Sequence, residues 1–269
     1  MREGAAVRCY GLRAALLAAG LCAALVAIAT LWLGLVGAAL VSALIVALGW
    51  ITYFHSERAV LTALRARQVS EVERPELHGL VRELARSARL PMPRLFVSPA
   101  AQPNILTVGY GPRSAAVCCT EGLLAELSPA ELRAVLAHEL AHVTRRDVVV
   151  SSSSAGLASL VAIFPLTALL LLRIASPAAR EYGADIEGAL LTGEPLEMAS
   201  ALRKIDTCAA ALPLRRRGPL VAASHLMIAC PFPPRGFGRL LRSHPPTGER
   251  VRRLEGLAGA AGTSRASGS

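Results

Sequence analysis

Lysine and aromatic residues are scarce in this chain. Lys204 is the only lysine among 29 basic residues, and Phe, Trp and Tyr make up 4% of the 269 residues. The formal net charge of +10 would by itself suggest a nucleic-acid partner. Surfaces that bind nucleic acids, however, interleave basic residues with stacking aromatic ones, and the sequence carries no nucleic-acid motif. We therefore expect no nucleic-acid partner, and a membrane-tethered nucleic-acid binder is the weakest interpretation.

The six cysteines form no CxxC pair. Cys118 and Cys119 are adjacent, and Cys22 lies in an apolar run. This spacing excludes a disulfide framework and favours a reducing compartment.

Charged residues are absent from Ala14 to Phe54, a run of 41 residues. One membrane-spanning helix needs about 20 residues, so the run is long enough for a transmembrane hairpin of two helices with its turn at Gly34 and Gly37. A signal peptide is excluded because its apolar core has only about 7–15 residues. One long tilted helix is the alternative interpretation.

Arginines flank this apolar run on both sides. Because basic residues favour the cytoplasmic side of a membrane, both ends of the run are expected in the cytoplasm. We predict a multi-pass protein of the cell (inner or plasma) membrane. Its segments are a cytoplasmic N-terminus at 1–13, the transmembrane hairpin at 14–54 and a helical juxtamembrane stem at 55–69. The lipid bilayer is thus a predicted partner.

Short helices and strands are predicted after the stem. Apolar residues at helical spacing predict a helix from Glu71 to Leu90. The next segments predict a small β-meander, then three helices, then a disordered tail. The predicted fold class is mainly α with a small β-sheet. The ranges are 94–98, 104–108 and 114–119 for the strands, 129–146, 177–191 and 196–211 for the helices, and 257–269 for the tail.

The segment HELAH at 138–142 is an HExxH motif. Its predicted helix begins with a capping box, with Ser128 at the N-cap and Glu131 at N3. Histidines four residues apart project from one face of a helix, so both imidazoles can bind one zinc ion. Glu139 can then act as general base on a metal-bound water. The alternative is a helix with two incidental histidines.

A catalytic zinc needs a third protein ligand. Arg145 and Val148 exclude the metzincin continuation of the motif, so the ligand is a Glu, Asp or His on another helix. Glu181 is the best candidate, with a solvated helix carboxylate as the alternative. Asp185, one turn later, could orient a neighbouring ligand. The remaining histidines are interpreted as structural: His55, His78 and His225.

Three blocks of sequence resemble the M48 family of membrane zinc metallopeptidases, and most of all its HtpX heat-shock protease branch. They are HELAHVTRRD at 138–147, AREYGAD at 179–185 and SHPPTGERVRRL at 243–254. The order of the blocks and the N-terminal apolar run also match, so the resemblance covers about residues 10–256. It implies a gluzincin-type zinc metallopeptidase domain at 70–256.

The resemblance implies one Zn²⁺ per chain, held by His138, His142 and Glu181. Glu139 would activate the zinc-bound water that attacks a peptide carbonyl. The substrates would be polypeptides, in particular misfolded or membrane proteins that quality control removes.

Supporting roles also follow from the resemblance. Asp147 would contact a metal ligand without binding the ion itself, and Asp185 would pair with Arg250. His244 would stabilise the oxyanion of the transition state, with a structural turn residue as the alternative. Asn104 matches a family position on the strand edge that binds substrate.

The apolar stretch 155–172 lies between His142 and Glu181, which the resemblance assigns to the same ion. Both ligands must lie on one side of the membrane, so a single crossing between them is excluded. Two crossings need about 40 residues, and only 38 residues separate the two ligands. The stretch is therefore predicted to be re-entrant, interfacial or folded into the domain.

The favoured interpretation is a membrane-anchored, zinc-dependent endopeptidase. A catalytically silent membrane scaffold or adaptor that keeps a structural metal site is the alternative. The two differ in whether function depends on the carboxylate of Glu139.

Overall fold

The computed structural model describes residues 2–145, 147, 178–215, 218–232 and 244–266. The predicted apolar stretch 155–172 lies outside the described residues. In chain order, the helices and strands are α1 (Arg2–Ala63), β1 (Arg67–Gln68), α2 (Pro75–Ser87), β2 (Arg94–Ser98), β3 (Ile105–Val108), β4 (Ala116–Thr120), α3 (Glu121–Glu126), α4 (Pro129–Thr144), α5 (Ala178–Thr192), α6 (Pro195–Ala211), α7 (Gly218–Ala223) and α8 (Thr247–Ala266).

The four strands form one mixed sheet in the order β1-β2-β4-β3. β4 pairs in parallel with β2 and antiparallel with β3, while β1 pairs antiparallel with β2. The predicted meander is therefore wrong, because β4 lies between β2 and β3 instead of following β3 at the edge. β3 is therefore an edge strand of the sheet.

The two faces of the sheet pack into different apolar clusters. Side chains alternate between faces along a strand, so Ile105 faces one cluster while Leu106 and Val108 face the other. The larger cluster lies between the sheet and helices α2, α4 and α6. The smaller one lies between the sheet, the end of α1 and α7. The sheet thus holds α4 against one face and α1 against the other.

α1 is interrupted at Gly34, whose φ of 67° and ψ of −164° are not helical. A Cβ on Gly37 would lie 3.2 Å from the carbonyl oxygen of Ala29. Eight residues of straight helix would rise about 12 Å, so the chain turns back on itself at Gly34. A positive φ is inexpensive for glycine alone, which explains this residue at the turn.

The stretch Cys22–Ile51 is long and apolar enough to cross a membrane, with a mean hydropathy of 2.5, and it is the one such stretch in the part of the chain that the structure describes. Its large side chains point outward: Leu31, Trp32 and Leu35 are each 83% exposed. Exposure of so large an apolar surface to water would be energetically unfavourable.

Two terminal segments differ from the sequence-based expectation. The predicted helical stem ends early: α1 stops at Ala63, Arg65 adopts a φ of 52°, and β1 follows. The tail predicted to be disordered is helical as far as Ala266. Alanine favours the helix, and Leu257 packs against the core, so the Gly/Ala-rich composition was a poor guide to disorder here.

Candidate metal centre

α4 carries both histidines of the HExxH motif on one buried face. Its start is fixed by the predicted capping box, in which the Ser128 hydroxyl accepts from the Glu131 backbone N–H and the Glu131 carboxylate accepts from the Ser128 N–H. The imidazole rings of His138 and His142 lie edge to face with centroids 4.8 Å apart. The helix period thus brings the two rings together, as the spacing predicted.

Glu181 of α5 meets the two histidines. Its Oε2 lies 3.8 Å from Nε2 of His138, and its Oε1 lies 3.5 Å from Nε2 of His142. One ligand atom from each of the three residues falls within 4.8 Å of the others. Ligands held about 2.0–2.1 Å from a tetrahedral zinc would be about 3.4 Å apart. The three residues lie close enough together to hold one metal ion.

The close packing of α4 and α5 depends on Gly188. A Cβ on Gly188 would lie 2.9 Å from the backbone nitrogen of His138 and 3.0 Å from its Cα. A larger residue would push the helices apart. Gly188 therefore sets the distance between Glu181 and the histidine pair.

Carboxylates outside the cluster contact the other nitrogen of each ring. Nδ1 of His142 hydrogen-bonds to Oδ2 of Asp147 at 3.3 Å, and Nδ1 of His138 lies 3.0 Å from Oδ1 of Asp185. Both contacts leave Nε2 facing Glu181. Carboxylates in this outer position fix ring orientation and tautomer in metal sites.

Neighbouring charges shift the pKa values of Glu181 and His142. Burial alone would raise the pKa of Glu181, yet the charges of His244 and His142 hold it well below its usual value. Burial alone would lower the pKa of His142, but Asp147 and the charge of Glu181 raise it to about 8. The site thus holds its carboxylate ionised, as a metal ligand must be.

Arg250 of α8 contacts both Asp185 and Glu181. It donates two hydrogen bonds to Asp185, at 2.7 and 2.8 Å, and its Nη1 lies 3.4 Å from Oε2 of Glu181. Despite burial, this arginine lowers the pKa of Asp185 to about 2. The structure therefore brings together the Asp185–Arg250 pair that the family resemblance implies.

Glu139 lies beside the cluster and lines the same cavity as the three ligands. Its Oε2 accepts a hydrogen bond of 2.6 Å from the hydroxyl of Thr107 in β3. Sequence reasoning missed Thr107, which stands 32 residues away. A hydroxyl on a core-facing strand position was the only signal.

His244 contacts the cluster directly, since its Nδ1 lies 2.9 Å from Oε2 of Glu181. It lines a cavity of about 30 Å³ together with the ligands and Glu139. One water needs roughly 10–15 Å³ on this measure, so the cavity has room for an ion and a water. His225 also lines this cavity, although the sequence suggested only a structural role for it.

Two arginines near Asp147 were likewise not singled out from the sequence. Nε of Arg145 lies 3.2 Å and Nε of Arg180 3.5 Å from the carboxylate of Asp147. Arg180 lines the cavity and is buried. Both arginines stand inside the blocks that carry the family resemblance, at 138–147 and 179–185.

Asn104 does not present its amide to a substrate. It is fully buried, and its Nδ2 donates to the carbonyl of Ala229 at 3.0 Å. Its backbone N–H donates to Thr120. Ile228 also donates to the carbonyl of Ile105 at 3.1 Å, so a neighbouring segment covers this end of β3. Asn104 thus anchors that segment, and its implied place on a strand edge that binds substrate stays a prediction.

The model of peptidase family M48 matches residues 71–258. The chain belongs to peptidase family M48. This M48 peptidase is similar to a protease HtpX homolog of Kineococcus radiotolerans, 46% identical over 241 residues that cover 77% of this chain and 82% of the relative. It is 36% identical to a protease HtpX homolog of Pelotomaculum thermopropionicum over 276 residues, covering 90% of this chain and 97% of the relative.

A third relative agrees with these two. The protease HtpX homolog of Bifidobacterium longum is 38% identical over 239 residues, which cover 77% of this chain and 78% of the relative. The matched range 71–258 includes all three residues of the cluster and Glu139. The M48 resemblance noted from three short blocks is therefore confirmed across most of the chain.

Proposed function

We propose that this M48 peptidase is a membrane-anchored, zinc-dependent endopeptidase. The observation that carries the proposal is the convergence of His138, His142 and Glu181 on one buried point, with Glu139 lining the same cavity. Three protein ligands leave one coordination position open, which is the arrangement of catalytic rather than structural zinc sites.

Zinc suits the donor set of two imidazoles and one carboxylate. When bound, zinc would supply a Lewis acid that polarises the carbonyl and lowers the pKa of water to near neutral. Calcium and magnesium prefer oxygen ligands. The proposal is therefore one Zn²⁺ per chain.

Glu139 and His244 perform the proton transfer and charge stabilisation in this mechanism. Glu139 removes a proton from the attacking water and delivers it to the leaving amine. His244, which lines the same cavity, donates a hydrogen bond to the oxyanion that develops on the scissile carbonyl. Asp147 and Asp185 hold the imidazoles in orientation throughout.

The N-terminal arms account for membrane anchoring. Residues 14–33 and 35–54 give two uncharged arms of twenty residues each around Gly34. Each arm, at 1.5 Å per residue, matches a hydrocarbon core of about 30 Å. We propose that both arms cross the cell membrane and that the peptidase domain lies in the cytoplasm, where flanking arginines favour it.

The position of Glu181 beside His142 also bears on the stretch 155–172. Since both residues meet at one point, the chain enters and leaves this stretch on one side of the membrane. We propose a re-entrant, interfacial or domain-packed segment. The family resemblance implies that the substrates are misfolded or membrane proteins.

Cleavage of unfolded casein by the detergent-purified chain tests the proposed activity. We expect cleavage that 1,10-phenanthroline abolishes and that added zinc restores. The variant His138→Ala should have lost both zinc and cleavage. Zinc-loaded wild-type protein that cleaves no substrate would contradict the endopeptidase and favour the scaffold.

Reporter fusions test the topology. A periplasm-active reporter inserted at Gly34 should be active, and the same reporter placed after Ala266 should be inactive. Activity at both positions, or at the C-terminus alone, would contradict the hairpin with a cytoplasmic domain.

A further inference from the structure

Thr107 places a hydroxyl where the neighbouring strand residues are apolar. Ile105, two residues earlier on the same face of β3, packs into the core beneath α4. Thr107 is also buried, with 4% of its surface exposed. A buried hydroxyl costs free energy unless it is hydrogen-bonded. Its partner therefore explains the threonine.

That partner is the proposed general base. The Thr107 hydroxyl donates to Oε2 of Glu139 at 2.6 Å, and Glu139 itself is 2% exposed. Hydrogen bonds to a charged acceptor are shorter and stronger than neutral ones. Because threonine is β-branched, its χ1 angle is restricted, and the sheet fixes its backbone. The hydroxyl therefore holds one oxygen of Glu139 in a fixed place.

We propose that Thr107 is a positioning residue for Glu139, a role that rests on the proposed function. With Oε2 held by Thr107, Oε1 is the oxygen that remains to accept the proton of the attacking water. Thr107 does not touch the metal or the substrate in this role. Its contribution is to orient the carboxylate of Glu139 before the substrate arrives, which preorganises the proton transfer.

The variant Thr107→Val tests this role because valine keeps the shape of threonine and removes the hydroxyl. We expect kcat on a quenched-fluorescence peptide to fall roughly 10- to 100-fold, the usual range for partners that orient a reacting group. KM and the zinc content should stay at their wild-type values. Thr107→Ser keeps the hydroxyl and should recover most of kcat.

Ser98→Ala is the matched control. Ser98 is a buried residue of β2 in the same sheet, and its hydroxyl donates 2.6 Å to the carbonyl of Leu64. This variant also removes a buried hydroxyl from the sheet, but one that donates to Leu64 and not to Glu139. We expect it to reduce thermal stability and leave kcat unchanged.

Three results would overturn the inference while leaving the proposed function intact. They are an unchanged kcat in Thr107→Val, an equal loss in Thr107→Ser, and a fall in kcat that follows a loss of zinc. A wild-type protein that holds zinc and cleaves nothing would instead overturn the proposed function, and this inference with it.

Discussion

Arg250 and Asp185 form a two-pronged ion pair buried directly behind the metal centre. Their side chains are 2% and 4% exposed, and the two hydrogen bonds measure 2.7 and 2.8 Å. Because Asp185 also lies 3.0 Å from Nδ1 of His138, this pair connects the C-terminal helix α8 to the histidine of α4. The pair therefore links the stability of the domain to the geometry of the site.

Breaking this pair on one side should be costly. Arg250→Met leaves the Asp185 carboxylate buried without its partner, at a cost of about 3–5 kcal/mol in the free energy of unfolding. The midpoint of thermal unfolding in detergent should fall by roughly 6–20 °C. The double variant Arg250→Met with Asp185→Asn should regain part of that loss. A single variant that unfolds within about 2 °C of wild type would refute the buried pair.

Gly188→Ala should weaken metal binding without touching a ligand. The new Cβ would meet the backbone of His138 at 2.9 Å, so α5 must move and take Glu181 with it. We expect zinc affinity, measured by competition with a chelator, to fall by roughly 10–100-fold. Gly79→Ala is the control, since a Cβ on Gly79 meets nothing within 4 Å. It should stabilise α2 by about 0.5–1 kcal/mol. Equal affinity in both variants would contradict the packing argument.

Glu131 should make the domain sensitive to acid. Burial opposes its ionisation, but Lys204 and Ser200 lower its pKa from 4.5 to about 2. A carboxyl whose pKa is lower in the folded state than in the unfolded state stabilises the fold at any pH above its unfolded-state pKa. This contribution to the free energy of unfolding is lost as the pH falls from about 4.5 towards 2. Glu131→Gln should therefore cost about 2–3 kcal/mol at neutral pH, and the difference from wild type should shrink below pH 4.5.

The control for this pH effect is Glu76→Gln, a substitution of an exposed glutamate in the first turn of α2. It should unfold within about 0.5 kcal/mol of wild type at every pH. If Glu131→Gln lowered the free energy of unfolding equally at pH 3 and pH 7, the lowered pKa of Glu131 would be contradicted.

The sequence predicted best where the signal was local. The capping box at Ser128, the paired faces of His138 and His142, and the strand at 94–98 all follow from neighbouring residues, and the structure agrees with each. Glu181 was already the best candidate for the third ligand, but the family resemblance was needed to favour it over a solvated helix carboxylate, because no local pattern distinguishes the two.

Long-range contacts were beyond the sequence. The approach of Thr107 to Glu139 depends on the register of β3 and on β4 lying between β2 and β3. The inward turn of Asn104 depends on the segment at 227–229 that covers the sheet edge. The helical tail shows a different failure: composition suggested disorder, but packing of Leu257 and alanine propensity extend α8.

The central claim is that cleavage depends on the carboxylate of Glu139. One comparison of three proteins tests it. Wild-type protein, Glu139→Gln and the exposed-site control Glu83→Gln are purified in detergent, and zinc content and casein cleavage are measured on each. We expect one zinc per chain in all three and cleavage by wild type and Glu83→Gln only. Cleavage by Glu139→Gln at the wild-type rate, or no zinc in the wild-type protein, would contradict the account.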